Sequence, residues 1–288
     1  MAEDILGRRC ATHDLGSGDV ARMVELERDF RARSRIAEST LQVTIPVRFI
    51  HIVSGAQGVV TRQQREDQIA VMNAAFAPAG VSFSHDEAQV SEIDNAAFFA
   101  MGHGSAAERQ CKSQTQAIAP EQGLNFYTAR PGGGLLGWAT FPHEMAGDPV
   151  MDGVVMLDGT LPGGATADFN KGKTAVHEVG HWLGLWHTFQ GGCFPPGDEV
   201  ADTPAHSGPN FGKPADSGQP YNRCPSEPSS ALCPIHNYMN YVDDDWMTEF
   251  TDGQIQRIWA QIGMFRSRLL QPGVSNVRES ALAAPVVW

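Results

Sequence analysis

Apolar positions recur along this chain with two different periods, and each period predicts an element. LQVTIPVRFIHIV (41–53) is rich in β-branched residues and predicts a strand. TRQQREDQIAVMNAAFAPAG (61–80) places Ile69, Met72, Ala75 and Phe76 on one helical face, with Thr61 as N-cap and Pro78 and Gly80 as the stop. VSFSHDEA (81–88) alternates and predicts a second strand. LNFYTAR (124–130), stopped by PGGG, and DGVVMLDG (152–159) predict two more. KGKTAVHEVGHWLGLWHTF (171–189) predicts a helix whose pattern breaks near Gly184. Residues 190–237 are rich in Pro, Gly and Ser and show no clear period, and TDGQIQRIWAQIGMFRSRLL (251–270) predicts a last helix capped by Thr251. Ahead of these, VARMVELERDFRARSRIAES (20–39) is charged and helical in composition, with Val20, Met23, Val24 and Leu26 on a weak stripe. No internal repeat is present. The order predicts an α+β or α/β domain on a mixed sheet.

Charge divides the chain. Residues 1–40 carry eight acids and seven arginines, whereas the rest has a balance of −11 out of the total −12. The domain boundary is expected near residue 40, and RARSR (31–35) reads as an exposed protease target. The acidity argues against nonspecific nucleic-acid binding. No apolar run reaches 18 residues, so no membrane span is predicted. MAEDILGRRC lacks the basic and apolar regions of a signal peptide. Either the protein does not use that route, or the signal has been removed and a start Met added. Cysteine usage favours the second option. Cys193, Cys224 and Cys233 cluster in the loop-rich segment, where a disulfide is a reasonable staple, and with Cys10 and Cys111 the odd count leaves at least one thiol over.

The chemistry is concentrated in HEVGHWLGLWH (177–187). On a helix, His177 and His181 share a face and can present nitrogens to one ion. Glycine at 184 lets the chain turn, so that His187 can return as a third ligand. Three neutral imidazoles around zinc leave a fourth position for water, the catalytic pattern. Glu178 leaves the helix about 100° away from His177 and is placed to act as general base. Core histidines or coincidence are the plain alternatives for a lone His-Glu-x-x-His. The added Gly184 and His187 make them improbable.

The stretch resembles the extended signature of the metzincin metallopeptidases. HNYMNYVDD (236–244) resembles their methionine turn, with Met239 as the turn methionine. Tyr241 matches a tyrosine that in several metzincins helps stabilise the oxyanion. The resemblance narrows to the pappalysin family, in its ulilysin- and mirolysin-like branch of secreted bacterial and fungal enzymes. It is carried by LNFYTARPGGGLLGWATFP (124–142), MDGVVMLDGTLPGG (151–164), HTFQGGC (187–193), GDEVADTP (197–204) and HNYMNYVDDDWMTEFTDGQ (236–254). It implies an α+β, two-lobed zinc-protease domain over 41–272, with a mixed twisted sheet and a long zinc-binding helix above an irregular lower lobe. A pro-segment (1–40) precedes this domain and a tail (273–288) follows it.

The resemblance further implies structural calcium near GDEVADTP. Asp198 and Asp202 offer hard oxygen ligands there, with solvated loop acids as the alternative. Relatives pair four lower-lobe cysteines first to third and second to fourth, which implies Cys193–Cys233; Trp246 stands in the fourth place, so Cys224 lacks its expected partner, and Cys111 is the alternative one. Asn240 stands where relatives often carry an acid, with a small local effect expected. Cys10, flanked by arginines ahead of a zinc site, resembles a cysteine switch that takes the water's position until cleavage near Arg33–Ser34 or Arg35–Ile36. Some relatives cut beside Arg or Lys. Asp243, Asp244 and Asp245 are candidates for such a pocket, and solvated or calcium-adjacent acids are the equal alternative. The resulting expectation is a secreted zinc endopeptidase made as a zymogen, acting on proteins or peptides and inhibited by its own pro-segment. A silent zinc-binding module and a small-molecule zinc amidohydrolase are the weaker alternatives.

Overall fold

The computed structural model describes residues 10–33, 42–194, 197–214, 224 and 233–271. The ends of the expected pro-segment and the expected tail at 273–288 lie outside these residues. In chain order the elements are α1 (Ser17–Arg33), β1 (Val43–Val53), α2 (Arg62–Phe76), β2 (Val81–His85), β3 (Ser91–Asp94), α3 (Ala96–Phe99), α4 (Ala106–Thr115), β4 (Leu124–Ala129), β5 (Gly137–Ala139), β6 (Val154–Leu157), α5 (Lys173–Trp182), β7 (Phe211–Gly212), β8 (Tyr241–Val242) and α6 (Asp252–Phe265).

The main sheet runs β2-β1-β4-β6-β5, with β3 also paired to β1. Its pairs are parallel except β5 with β6, so β5 forms an antiparallel edge. Strand β1 is central because its two-residue period serves two cores. Val43, Ile45, Val47 and Phe49 pack toward α2, α5 and α6, and Ile50 and Ile52 pack toward α3 and α4. β4 divides in the same way, with Leu124 and Phe126 on one side and Tyr127 and Ala129 on the other.

Local signals set most boundaries. Thr61 caps α2 and Thr251 caps α6, each with Gln at N3 completing a capping box. Helix α1 begins at Ser17, three residues before the stretch the composition suggested. Its stripe buries Met23, whereas Leu26 is 40% exposed. Leu15 and Met23 join Phe141 and Trp186 in a small cluster that fixes the N-terminal segment to the body.

A fully buried ion pair ties α5 to the sheet. Arg266 lies 2.6 Å from Asp152, both with no side-chain exposure. The guanidinium stacks on Trp182, and the Trp182 indole donates to Asp152 (2.9 Å).

The disulfide differs from the expected Cys193–Cys233 pairing. Cys193 bonds to Cys224, with Cα atoms 5.3 Å apart, a separation a disulfide spans without backbone movement. Cys224 is brought there by its amide, which donates to Ala205 O (3.4 Å). Cys233 is buried and takes no part in this bond, and Cys111 is buried in the core under α4.

Candidate active site

Helix α5 supplies His177 and His181 one turn apart and then stops. The Leu183 amide still bonds to Val179 O, but Gly184 takes φ +94°, and Leu185 N turns back to Gly180 O (2.9 Å). A Cβ at 184 would stand 2.4 Å from the Gln261 side chain, so both the angle and the space require glycine. This turn returns His187 to the other two. His181 Nε2 lies 3.1 Å from His177 Nε2 and 3.0 Å from His187 Nε2.

Each ring is oriented through its other nitrogen. His177 Nδ1 donates to Tyr238 O (2.7 Å), and His181 Nδ1 donates to Leu185 O (2.7 Å). His187 Nδ1 donates to Asp14 Oδ1 (2.9 Å). With the protons committed there, three Nε2 lone pairs converge on one point. Such lone pairs repel unless a cation lies among them, so the donor set fits a metal of zinc's preferences. Burial keeps the rings neutral: it lowers His177 to about 4 and takes His181 and His187 well below the ordinary histidine value.

Cys10 completes the group. Its Sγ and the three histidine nitrogens all lie within 4.8 Å of one another, and no other such group of three or more His, Cys, Asp or Glu occurs among the described residues. The N-terminal segment delivers it along the sheet edge. Ala11 N donates to Gly137 O (3.0 Å) and Ala139 N donates to Thr12 Oγ1 (2.8 Å), so residues 10–12 lie on β5 as a short parallel addition. The Thr12 hydroxyl donates to Glu178 Oε2 (3.1 Å), and Cys10 Sγ lies 3.4 Å from the same oxygen. Burial pushes Glu178 up to about 8. Burial and then the Glu178 charge push the Cys10 thiol well up. A divalent cation among the four donors acts the other way, favouring thiolate and carboxylate.

Met239 lies fully buried beneath the helix. A Cβ at Gly180 would come within 2.5 Å of its sulfur, so glycine there admits the methionine. Tyr241 Oη stands 3.2 Å from His187 Nε2, and Phe189 stacks on the His187 ring at 4.7 Å. Asn240 binds the loops around the methionine turn. Its Oδ1 accepts from Asn210 N and Tyr241 N, and its Nδ2 donates to Asn210 Oδ1 and Pro234 O, two bonds a carboxylate could not donate.

The remaining candidate acids are placed apart from this cluster. Asp198 is buried, with Oδ1 accepting from Val200 N and Thr203 Oγ1 and burial raising it to about 7, and Asp202 Oδ2 accepts from Gly253 N at the start of α6. Asp244 Oδ2 accepts from Lys171 N and Lys173 N. Asp245 pairs with Lys171 and Lys213, and Asp243 N donates to Gly212 O. None of Asp243, Asp244 and Asp245 lines the cavity beside Glu178. The sequence reading did not find Thr12, Asp14, Phe189 or strand β5. Thr12 and Asp14 sit two and four residues past Cys10, and that spacing was the only signal available for them.

Comparison with known proteins agrees with this geometry. The peptidase family described as Pregnancy-associated plasma protein-A matches residues 132–263. An extracellular metalloprotease of Colletotrichum graminicola is 35% identical over 267 residues, covering 90% of each chain. One from Verticillium alfalfae is 39% identical over 264 residues, covering 86% of this chain and 87% of its own. Among solved structures, a Tannerella forsythia promirolysin mutant superposes with a TM-score of 0.74 at 24% identity, covering 92% of this chain and 97% of that one. Mature Tannerella forsythia mirolysin in complex with a cleaved peptide gives 0.64 at 25% identity, covering 80% and 99%. A metzincin fold, a converging histidine set and relatives of this identity and coverage together make the chain a member of the pappalysin family of metallopeptidases, of the ulilysin and mirolysin type.

Proposed function

We propose that the chain is a secreted zinc endopeptidase in its latent form, held so by its own residues 10–14. One observation carries this reading: the N-terminal segment reaches the metal donors and the general base at once. Cys10 Sγ joins the three histidine nitrogens, Thr12 bonds Glu178 and Asp14 bonds His187. The fold likeness to a pro-enzyme over 92% of this chain supports it. The relatives' extracellular naming supports secretion.

When bound by the three imidazoles, zinc supplies Lewis acidity, which makes water acidic near neutral pH and polarises a peptide carbonyl. The chain's own residues do the rest. Glu178 Oε2, released from Thr12, takes a proton from water and passes it to the departing amide nitrogen. The Tyr241 hydroxyl donates to the oxygen on which charge develops. Burial holds that phenol protonated, well above its ordinary value. Gly137 O and Ala139 N, now bonded to residues 11 and 12, are the edge groups an extended substrate would engage once the segment leaves.

Calcium at Asp198 and Asp202 is part of the proposal. Asp198 Oδ2 is buried without a hydrogen-bond partner, which supports an ion there. A fall in melting temperature on adding a calcium-selective chelator would check it. Cleavage beside Arg or Lys draws no support from Asp243, Asp244 and Asp245, because Asp244 is spent on two backbone amides and Asp245 on two lysines.

The test is processing of the purified chain, followed by N-terminal sequencing and mass spectrometry. Loss of the first 33 or 35 residues with casein cleavage is expected, both abolished by a zinc chelator and by Glu178→Ala. In the uncleaved chain, Thr12→Val and Cys10→Ser should each raise peptide hydrolysis above the latent level. Full casein cleavage by a chain that keeps its N-terminus would remove the latency reading.

A further inference from the structure

Strand β5 carries different chemistry on its two faces. Gly137 faces α5, where a Cβ would stand 3.0 Å from Glu178 Cγ, and Ala139 joins the core that holds Val176 and Val179. Trp138 points to the opposite face, as the two-residue period requires, and packs there with Phe98, Phe99, Cys111 and Tyr127. The strand pairs with β6 along one side, and its other side bonds to Ala11 and Thr12. An edge strand of three residues is a place where a sheet opens locally unless something else fixes it.

Trp138 is fixed from behind by α4. Its indole Nε1 donates to Glu108 Oε1 (2.6 Å), and the residue is 1% exposed. Glu108 Oε2 accepts from Gly104 N (2.7 Å), which ties the carboxylate to the turn ahead of the helix. Lys112, one helical turn after Glu108, sits 2.8 Å from Glu108 Oε1 and donates to Met151 O (2.7 Å). Neither side chain of this ion pair has more than 1% exposure. Met151 O also accepts from Thr140 Oγ1 (2.6 Å), and Thr140 N donates to Gly153 O (3.1 Å). The middle of β5 and the residue that follows it are thus bonded into one buried network.

Resting on the protease reading above, we propose that Glu108 and Lys112 are positioning residues for the substrate. Acting through Trp138, they set the place of Gly137 O and Ala139 N beside Glu178, and so the line along which a peptide lies against the edge. The energetics favour a geometric role over a stabilising one. A buried ion pair is a costly source of stability, because apolar side chains of similar volume often do as well. Its gain here is directional. A carboxylate draws an indole N–H into one line at short range, which apolar packing does not enforce. Lys112 keeps that carboxylate from standing as an unpaired buried charge and carries the link on to Met151 O. A shift of about 1 Å in a substrate-holding group is enough to slow a reaction by up to about a hundredfold.

The experiment measures hydrolysis of a casein-derived peptide by the full chain activated with trypsin, with trypsin then inhibited. Trp138→Phe keeps an aromatic ring and removes the donor. It should raise KM about tenfold while kcat stays within about twofold and zinc affinity is unchanged. Because the smaller ring also loosens the core, a second variant decides independently. Glu108→Leu with Lys112→Met removes both buried charges together, so neither is left unpaired, and the fold is expected to hold. A purely structural pair predicts the parent's KM for that folded double variant, whereas a positioning pair predicts the same tenfold rise. Binding of the same peptide to trypsin-treated Glu178→Ala, with and without Trp138→Phe, is titrated alongside and should weaken about tenfold with the second substitution. Parent-like KM and binding in the folded variants, or a loss confined to kcat, overturns the proposal and leaves the protease reading intact. Weakened binding in a chain whose parent hydrolyses nothing removes the protease reading and keeps the positioning role.

Discussion

His51 shows how a single buried side chain ties stability to pH apart from the catalytic cluster. It lies on β1 with 1% exposure. Nδ1 shares a hydrogen bond with Thr128 Oγ1 (2.8 Å), and Nε2 has no partner. Burial lowers it from 6.5 to about 3, so the folded state holds it neutral where the unfolded chain would protonate it. The sign follows directly. Between pH 6.5 and 3 the unfolded state binds more protons, so stability is fully present above the unfolded value and falls as pH drops through that window. From pH 7 to pH 5 the loss from this group is about 2 kcal/mol. Denaturant unfolding of the chelated protein at both pH values should show His51→Gln losing less stability than the parent by about that amount. Equal losses would mean the imidazole is already charged in the fold.

At the scale of elements, α5 and the turn after it show what the sequence could and could not reveal. His177, Glu178 and His181 were legible because the helical period alone fixes their relative directions. His187 was legible because a glycine marked the turn, and the structure gives that glycine φ +94° against the Gln261 side chain. Gly184→Ala should therefore cost about 1–3 kcal/mol of stability and displace His187. Zinc competition with a chromophoric chelator should show affinity at least tenfold weaker. Unchanged affinity would mean that His187 does not depend on the turn. Strand β5 was not legible. Three residues, Gly137, Trp138 and Ala139, offer no period, and the strand exists only because β6 pairs with it. Thr12 and Asp14 were hidden for a different reason, since their partners lie 166 and 173 residues away and no local pattern encodes such contacts. The disulfide was misread because the family pattern assigned partners by order, whereas the fold assigns them by distance.

At the scale of the whole molecule, the segment that carries Cys10 to the histidines is also anchored far from them. Leu15 and Met23 pack with Phe141 and Trp186, Phe30 fills the space against Gly263, and Glu27 faces Arg257 at 3.6 Å, where the guanidinium stacks on Trp186. On the proposed latency, a chain cannot cut itself while Ala11 and Thr12 occupy its own edge strand. Processing must then pass between molecules, so it should show a lag that shortens with protein concentration and disappears when active enzyme is seeded in. A lag that does not change with protein concentration or with seeding would mean that the chain cuts itself.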